Sequence, residues 1–294
     1  MIAPAAAPPS YADTIARLAA IAEAEADPAI NPKCRSFALT HGSPTARATL
    51  LLHGYTNCPQ QFRAFAERLH ARGQNVYVPR LPHHGLADRL STAHGLLGRR
   101  ELLAYLDDAI AVARGLGAEV GVLGISAGAV LAAYAAQHRP EVARAVIVAP
   151  VFGTPGIADW AVGPLAVAGR LLPNQFRWWD PQLRDARRGP THAYPRYSTR
   201  ALAAIVSIGR GVLREARRRP PAARSVAIVT NAADQAVTNL PAERLAAAWA
   251  RHGANLRTYS FGAELGLIHD VIDPDQEHQQ IELVYPVLLE LVEA

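Results

Sequence analysis

Short apolar runs without polar alternation recur along this chain, about 25 to 45 residues apart over much of its length. Such runs suit strands that are buried on both faces, as in a parallel sheet covered by helices. Helical stretches stand between several of them, and this alternation predicts an α/β sheet. The runs are Ala48–Leu52, Val76–Val78, Val120–Ile125, Ala145–Ala149, Ser225–Thr230 and Leu256–Phe261. The helical stretches are Gln61–Arg72, Arg99–Gly115, Ala127–His138 and Ala242–His252.

One long interval breaks this rhythm. About 75 residues separate Ala149 from Ser225 without a clear strand, and they contain two apolar helical stretches, Ile157–Leu172 and Thr199–Arg218. An interval of this length is too long for a simple connection and too ordered for a linker. We therefore predict a helical cap inserted over residues 153–222.

The rest of the chain is assigned around that insertion. Residues 33–152 and 223–294 are predicted to form the α/β core, with Ser36 to Thr40 as an outer strand. Residues 1–32 are predicted to be an N-terminal helical extension. Its helix, Tyr11 to Ala26, has Ser10 as a candidate N-cap.

Composition favours a protein with one large core and argues against a nucleic-acid-binding surface. Half of the 294 residues are apolar, which is ample for one large core. The net charge is +5, and only Lys33 among the 30 basic residues is a lysine. Acidic residues interrupt the two arginine runs, at 184–188 and 214–219, so a solvated face is the better interpretation than a nucleic-acid surface.

The cysteines and the hydropathy bear on location. Cys34 and Cys58 do not make a disulfide framework, so two free thiols are the default, with one bridge open if the protein is exported. The first ten residues lack a basic segment followed by an apolar run, and no window reaches the 18 apolar residues of a membrane span. We expect a cytoplasmic protein, with export after removal of a signal left open.

The strongest chemical motif is Gly124-Ile125-Ser126-Ala127-Gly128, which matches G-x-S-x-G. A predicted strand precedes it and a predicted helix follows it. A sharp turn in this context strains the backbone of the serine and lifts its hydroxyl clear of the sheet. The helix N-terminus then places partial positive charge beside a developing oxyanion. Ser126 is therefore the candidate nucleophile.

With this motif, the chain resembles the α/β-hydrolase superfamily, particularly carboxylesterases and monoacylglycerol-lipase-like members with a helical cap. The segment Leu50-Leu51-Leu52-His53-Gly54-Tyr55-Thr56 looks like the family's strand followed by HG. The resemblance implies an α/β-hydrolase fold with a mostly parallel central sheet and helices on both faces. It also implies that the amides of Tyr55 and Ala127 form the oxyanion hole, with His53 and Gly54 beside the substrate.

The family order of nucleophile, acid and histidine places the other two catalytic groups. Asp234 follows the strand Ser225–Thr230, and His269 follows the last strand, 35 residues further on. Asp234 would fix the imidazole of His269, which would take the proton of Ser126. Competing residues are Asp159 and Asp180 in the predicted cap, His252, His278, and Asp270, which more naturally caps a following helix.

Two pairs of adjacent side chains, one of histidines and one of tryptophans, each allow two interpretations. His83 and His84 invite a metal site, but adjacent residues rarely bind one ion and no third ligand stands at a suitable spacing. We predict no metal and no cofactor. Trp178 and Trp179 are predicted to line an acyl pocket, with packing inside the cap as the alternative.

These residues predict a serine hydrolase that cleaves carboxylic esters of short to medium apolar acyl groups. The same triad could instead cleave C–C bonds, thioesters or amides, or carry out perhydrolysis. A binding protein without chemistry is disfavoured because all three triad members are present. A dehalogenase or an epoxide hydrolase is disfavoured because those enzymes place Asp at the elbow. The expected partner is a small-molecule ester, and the oligomeric state stays open.

Overall fold

The computed structural model describes residues 7–182, 184–187 and 189–294 of the chain. The strands are β1 (Phe37–Leu39), β2 (Thr45–Leu52), β3 (Asn75–Val78), β4 (Gly117–Ile125), β5 (Val142–Val148), β6 (Phe176–Trp178), β7 (Arg196–Ser198), β8 (Ser225–Asn231) and β9 (Leu256–Phe261). The α-helices are α1 (Tyr11–Ala24), α2 (Arg63–His70), α3 (Arg99–Leu116), α4 (Ala127–His138), α5 (Asp159–Leu171), α6 (Thr199–Ala216), α7 (Leu240–Arg251) and α8 (Ile281–Glu293). The apolar runs and the helical stretches of the sequence are therefore confirmed as strands and helices.

A seven-stranded sheet with the order β1-β3-β2-β4-β5-β8-β9 forms the centre of the fold. All neighbours pair in parallel except β1, which is antiparallel to β3 at one edge. The side chains of β5 and β8 are almost all buried, because helices cover both faces of the sheet. The predicted fold class is confirmed. Since ligands of such sheets bind outside the carboxyl ends of the strands, the loops after β2, β4, β8 and β9 are the ones that matter.

Helix α4 packs closely on the middle of this sheet, against β4 and β5. Ten of its residues are buried, and most of these are alanine or glycine. Such small side chains let the helix axis approach the strands, so the first turn of α4 lies directly over the end of β4. The helix begins immediately after Ser126, which fixes that residue at the centre of the carboxyl edge.

The segment predicted to be a cap contains α5, the antiparallel pair β6–β7 and α6. The expectation that this interval has no clear strand is wrong. The sequence did not reveal β6 and β7 because each is only three residues long and carries no alternating pattern. Helix α6 packs on α4 and α5. The division into residues 1–32, 33–152 with 223–294, and 153–222 stays a prediction. Residues 1–6 of the predicted extension lie outside the described residues. So do Leu183 and Arg188, which belong to the predicted cap; Arg188 is also the last residue of the first arginine run.

Cys34 and Cys58 are joined in a disulfide, with their Cα atoms 5.1 Å apart. Both residues are fully buried. The default of two free thiols is therefore wrong. The bridge ties the segment before β1 to the loop after β2, and the Cys34 sulfur also lies 3.4 Å from the carbonyl oxygen of His192.

The N-terminal helix begins as the sequence predicts. The Ser10 side chain accepts a hydrogen bond from the Asp13 amide at 3.1 Å, which confirms Ser10 as the N-cap of α1. Helix α1 packs against α3. No helix within the described ranges is both long enough and apolar enough to cross a membrane.

Candidate active site

Ser126 stands at the turn between β4 and α4. Its backbone has φ 57° and ψ −111°, a region that residues with a side chain rarely occupy. The Ser126 amide donates to the Val148 carbonyl at 3.0 Å, and the Ser126 carbonyl accepts from the amides of Val130 and Val151 at 3.1 and 3.3 Å. The surrounding backbone thus holds a strained conformation, as a nucleophile elbow requires.

Gly124 and Gly128 are needed on either side of this turn. A Cβ atom on Gly124 would collide with the carbonyl oxygen of Gly128, and one on Gly128 would collide with that of Leu52. Both collisions are with backbone, so a side-chain rotation could not relieve them. The two glycines therefore allow the start of α4 to contact the ends of β2 and β4, which is the physical reason for the G-x-S-x-G pattern here.

Asp234 lies directly after β8 and His269 lies in the loop after β9. His269 Nδ1 and Asp234 Oδ2 are 2.6 Å apart, and the Asp234 side chain is fully buried. The amides of Ala236 and Val237 donate to Asp234 Oδ1 at 2.8 and 3.1 Å. Burial alone would raise the pKa of Asp234, but the hydrogen bond with His269, the charge of that ring and the two amides outweigh it and lower the pKa. Asp234 is therefore an ionised acceptor that orients the imidazole.

The loop that carries His269 is anchored by the last residue of β8. The side-chain amide of Asn231 donates to the carbonyl oxygens of Leu267 and Ile268 at 2.9 and 3.2 Å. Asn231 is only 1 % exposed, so these bonds form where water does not compete. The end of β8 thus places both the acid and the histidine.

Ser126 and His269 line the same cavity of about 1880 Å³ at the carboxyl edge of the sheet. Because Asp234 engages Nδ1 of His269, Nε2 is the ring nitrogen that can take a proton from Ser126. The structure therefore brings the three predicted catalytic residues to one site.

The two predicted oxyanion-hole amides flank Ser126. Ala127 is the first residue of α4, where helix amides lack intrahelical partners. Gly54, which precedes Tyr55, lies against the nucleophile: a Cβ atom on Gly54 would be 3.6 Å from the Cβ of Ser126. Within the described part of the chain, neither the Tyr55 nor the Ala127 amide donates a hydrogen bond. Both are thus available to an oxyanion.

Sequence reasoning missed Gln61, which holds the Gly54–Tyr55 loop. Its Oε1 atom accepts the Gly54 amide at 2.8 Å, and the side chain is 2 % exposed. The Asn57 amide also donates to the Gly54 carbonyl at 3.2 Å. A glutamine at the start of a predicted helix gives no sign of this role, because its partner is seven residues upstream.

Three hydrogen bonds join the same loop to residues 153–222. The Tyr194 amide donates to the Thr56 carbonyl at 2.7 Å, and Trp179 Nε1 donates to Thr56 Oγ1 at 2.8 Å. The Ser198 amide donates to the Tyr55 hydroxyl at 3.1 Å. The position of the Tyr55 amide is therefore coupled to the segment that covers the cavity.

The four residues predicted to contact substrate fall in two groups. Gly54, Trp178 and Trp179 line the cavity. The described residues that line the cavity do not include His53. His53 is fully buried, with Nδ1 2.9 Å from the Gly54 carbonyl oxygen and Nε2 accepting the Leu81 amide at 3.0 Å. Its position is that of a structural residue below the loop, and the expectation of substrate contact by His53 is not met.

Asp270 does not cap a helix, because α8 begins eleven residues later. Its carboxylate accepts hydrogen bonds from the side-chain amides of Asn57 and Gln276 at 3.0 and 2.9 Å. Burial and the charge of nearby Asp273 raise its pKa above the usual value. Asp270 thus braces the loop after His269, while the imidazole itself is paired with Asp234.

Buried histidines beneath the site make the fold sensitive to acid. Burial lowers the pKa of His53 to about 3 and that of His94 to about 4. His94 is stacked on Tyr194 with 4.7 Å between ring centroids and meets Phe176 edge-on at 5.3 Å. Both histidines stay neutral in the folded protein while the unfolded chain takes up protons below about pH 6.5, so stability falls with pH in that window.

We predict that His94→Phe makes the protein less sensitive to acid. The wild type should lose on the order of 2 kcal/mol through His94 alone between pH 7 and pH 5, and the variant should lose less by about that amount. Urea unfolding of both proteins at the two pH values measures this. Equal losses in the two proteins would show that His94 is not a buried neutral group.

The sheet order and the strained serine turn define an α/β-hydrolase fold. A model of the alpha/beta hydrolase family matches residues 49–265, and the chain belongs to that family. The thermostable monoacylglycerol lipase of Bacillus sp. (strain H-257) is 29 % identical over 120 residues, which cover 39 % of this chain and 44 % of that relative. The match thus spans less than half of the length of that curated protein.

Solved structures show the same fold at low identity. A metagenome-derived lipolytic enzyme superposes with a TM-score of 0.66 at 18 % identity, covering 90 % of this chain and 99 % of that one. The monoacylglycerol lipase of Paleococcus ferrophilus also has a TM-score of 0.66, at 20 % identity, with 88 % and 98 % covered. Their similarity to this chain is one of fold.

Proposed function

We propose that this protein is a serine hydrolase of carboxylic esters, with Ser126 as nucleophile, His269 as general base and Asp234 as the acid that orients it. The observation that carries the proposal is the 2.6 Å pairing of buried Asp234 with His269 in a cavity that also contains the strained Ser126. The names of the monoacylglycerol lipases above support the same chemistry.

The reaction follows from the roles of these groups. Ser126 Oγ attacks the ester carbonyl carbon while its proton passes to His269 Nε2, and Asp234 stabilises the imidazolium. The tetrahedral intermediate collapses, the bond to the leaving alcohol breaks, and the alcohol takes the proton from His269. Water, activated by His269, then attacks the acyl-enzyme and releases the carboxylic acid.

Backbone amides stabilise the charge that develops in this reaction. In the proposal, the amides of Tyr55 and Ala127 donate to the oxyanion, assisted by the positive end of α4. Removal of one such donor typically costs ~10²–10³ in rate. Because Gln61 and Ser198 hold the Tyr55 loop, the donor is in place before substrate arrives.

Residues 153–222 are proposed to act as the cap that selects the acyl group. Helices α5 and α6 supply Val162, Leu165, Leu202, Ala203 and Val206 to the cavity wall. The stretch of α6 from residue 199 to 206 that borders the cavity is about 10 Å long. An extended chain advances roughly 3.5 Å per three bonds, so this wall matches an acyl chain of about eight carbons.

We predict that kcat/KM for p-nitrophenyl esters rises from acetate to about octanoate and then falls at palmitate. Each CH₂ buried against the apolar wall contributes roughly 0.8 kcal/mol, which is about a fourfold gain per carbon. In the variant Val206→Phe the larger side chain fills part of the pocket and shortens the space open to the acyl chain. This variant should lower the octanoate-to-butyrate ratio of kcat/KM. A flat profile, or a preference for charged acyl groups, would contradict the assignment of an apolar acyl pocket.

The cytoplasmic location stays a prediction. Structural disulfides persist in oxidising compartments and are rare in the cytosol. The Cys34–Cys58 bridge therefore supports export, the location that the sequence left open.

A further inference from the structure

A buried histidine stands between two carboxylates at the edge of the cavity. His192, from the loop before β7, is 3 % exposed, and Asp273 is fully buried in the loop after His269. His192 Nε2 is 2.8 Å from Asp273 Oδ2, and His192 Nδ1 is 3.6 Å from an Asp275 carboxylate oxygen. One ligand atom from each of the three residues lies within 4.8 Å of the others.

The hydrogen bonds of this cluster leave one ring nitrogen without a partner. Asp273 Oδ2 accepts from His192 Nε2 at 2.8 Å and from Asn57 at 3.4 Å, and Asp273 Oδ1 accepts the Asp275 amide at 3.0 Å. His192 Nδ1 is buried and makes no hydrogen bond to any described residue. Since Nε2 donates to Asp273, a neutral ring presents the lone pair of Nδ1 towards the negative carboxylate of Asp275.

The charges of the cluster favour a cation at that point. Asp270, Asp273 and Asp275 bring three carboxylates together, and the partners of Asp270 and Asp273 include the neutral amides of Asn57 and Gln276. Among the described residues, no arginine or lysine forms an ion pair with any of the three. The Nδ1 lone pair of the buried His192 ring faces the Asp275 carboxylate, which is 43 % exposed, and positive charge between the two would stabilise both.

We propose that His192 Nδ1 and the Asp275 carboxylate bind a divalent transition-metal cation, with Asp273 orienting the imidazole through Nε2. Two ligand atoms that each lie about 2.1 Å from a tetrahedral ion are about 3.4 Å apart. The distance between His192 Nδ1 and the Asp275 carboxylate oxygen, 3.6 Å, is close to this value and is longer than a hydrogen bond. A carboxylate that accepts the second N–H of a ligating histidine is the usual arrangement around such ions. Because Asp275 lines the cavity, water can complete the coordination.

The cation would join two segments that are far apart in sequence. His192 belongs to the proposed cap, and Asp273 and Asp275 belong to the loop that carries His269. The carbonyl oxygen of His192 lies 3.4 Å from the Cys34 sulfur of the disulfide. The site would therefore lock the cap onto the catalytic loop. No sequence motif reveals it, because 81 residues separate His192 from Asp273.

The test is direct metal binding by the full chain. The protein is treated with EDTA, dialysed and titrated with Zn²⁺ by calorimetry, with Mn²⁺ and Ca²⁺ as comparisons. We expect one equivalent of Zn²⁺ to bind, with Ca²⁺ much weaker because imidazole is a poor ligand for it. Asp275→Asn should weaken Zn²⁺ binding at least tenfold. Glu277→Gln, at an exposed cavity residue in the same loop, is the matched control and should bind as the wild type does.

A second readout separates the cation from a simple ion pair. At a hundredfold excess over the wild-type dissociation constant, Zn²⁺ should raise the Tm of the wild type by about 5 °C and that of Asp275→Asn by no more than about half as much. Failure of the wild type to bind Zn²⁺ at 1 mM, or equal binding by Asp275→Asn, would overturn the proposal. Ester hydrolysis is assayed separately, so either proposal can fail alone.

Discussion

Replacement of Ser126 by alanine is expected to lower kcat for ester hydrolysis by a factor on the order of 10⁶. In the proposed mechanism the hydroxyl forms the acyl-enzyme, and the proposed oxyanion amides of Tyr55 and Ala127 cannot substitute for it. Removal of the hydroxyl leaves the φ of 57° and the backbone hydrogen bonds of the turn in place. The Tm of the variant should therefore stay within a few degrees of the wild-type value.

Two measurements test this expectation. The first is hydrolysis of p-nitrophenyl butyrate by Ser126→Ala and by the control Ser207→Ala, whose hydroxyl donates to the Ala204 carbonyl within α6. The second is labelling with a fluorophosphonate probe, which should modify Ser126 in the wild type and leave Ser126→Ala unmodified. Labelling at another residue, or activity retained in Ser126→Ala, would exclude Ser126 as the nucleophile.

The centre of the fold was predictable because strands such as β3, β5 and β8 are short, largely apolar and buried on both faces, whereas the edge strand β9 is mostly exposed. Each of the six runs became a strand of the central sheet. The elbow was predictable because backbone contacts at Gly124 and Gly128 exclude a side chain. The assignments of Asp234 and His269 came from the family order that the resemblance implies, applied to the predicted strands β8 and β9, and the Asp234–His269 distance supports the pairing.

What sequence reasoning missed depends on contacts between distant residues. The Cys34–Cys58 bridge requires the segment before β1 to lie beside the loop after β2, which no local pattern reveals. The β6–β7 pair is too short for periodicity. Gln61 acts through one buried hydrogen bond to the Gly54 amide. Local patterns thus specify the elements and their order, while the neighbours that fix a loop emerge only once the elements pack.

The structure also gives a reason why residues 153–222, the proposed cap, would affect turnover as well as substrate choice. Thr56 accepts hydrogen bonds from Tyr194 and Trp179, and Tyr55 accepts one from Ser198. A shift of the cap would therefore move the backbone next to the proposed oxyanion donor. Loss of one donor typically costs ~10²–10³ in rate, so small displacements would matter.

Replacement of Asp234 by asparagine is expected to lower kcat by a factor on the order of 10⁴, by analogy with the same change in a serine protease. The asparagine oxygen can still accept the amides of Ala236 and Val237, so the side chain keeps its orientation. Its NH₂ group then faces His269 Nδ1 and donates to it. The proton of the neutral ring moves to Nε2, which can no longer accept the proton of Ser126.

Asp270→Asn is the discriminating control for this assignment, because Asp270 directly follows His269 in sequence and is a competing candidate for the acid. Its carboxylate accepts from Asn57 and Gln276, so an asparagine there should lower the Tm and reduce kcat by less than tenfold. Steady-state kinetics with p-nitrophenyl butyrate and thermal unfolding of both variants separate the two effects. A loss of about 10⁴ in Asp270→Asn, with Asp234→Asn near wild type, would transfer the role of the acid to Asp270. The buried Asp234–His269 pair and the lowered pKa of Asp234 argue for the opposite result, since only an ionised carboxylate can stabilise the imidazolium.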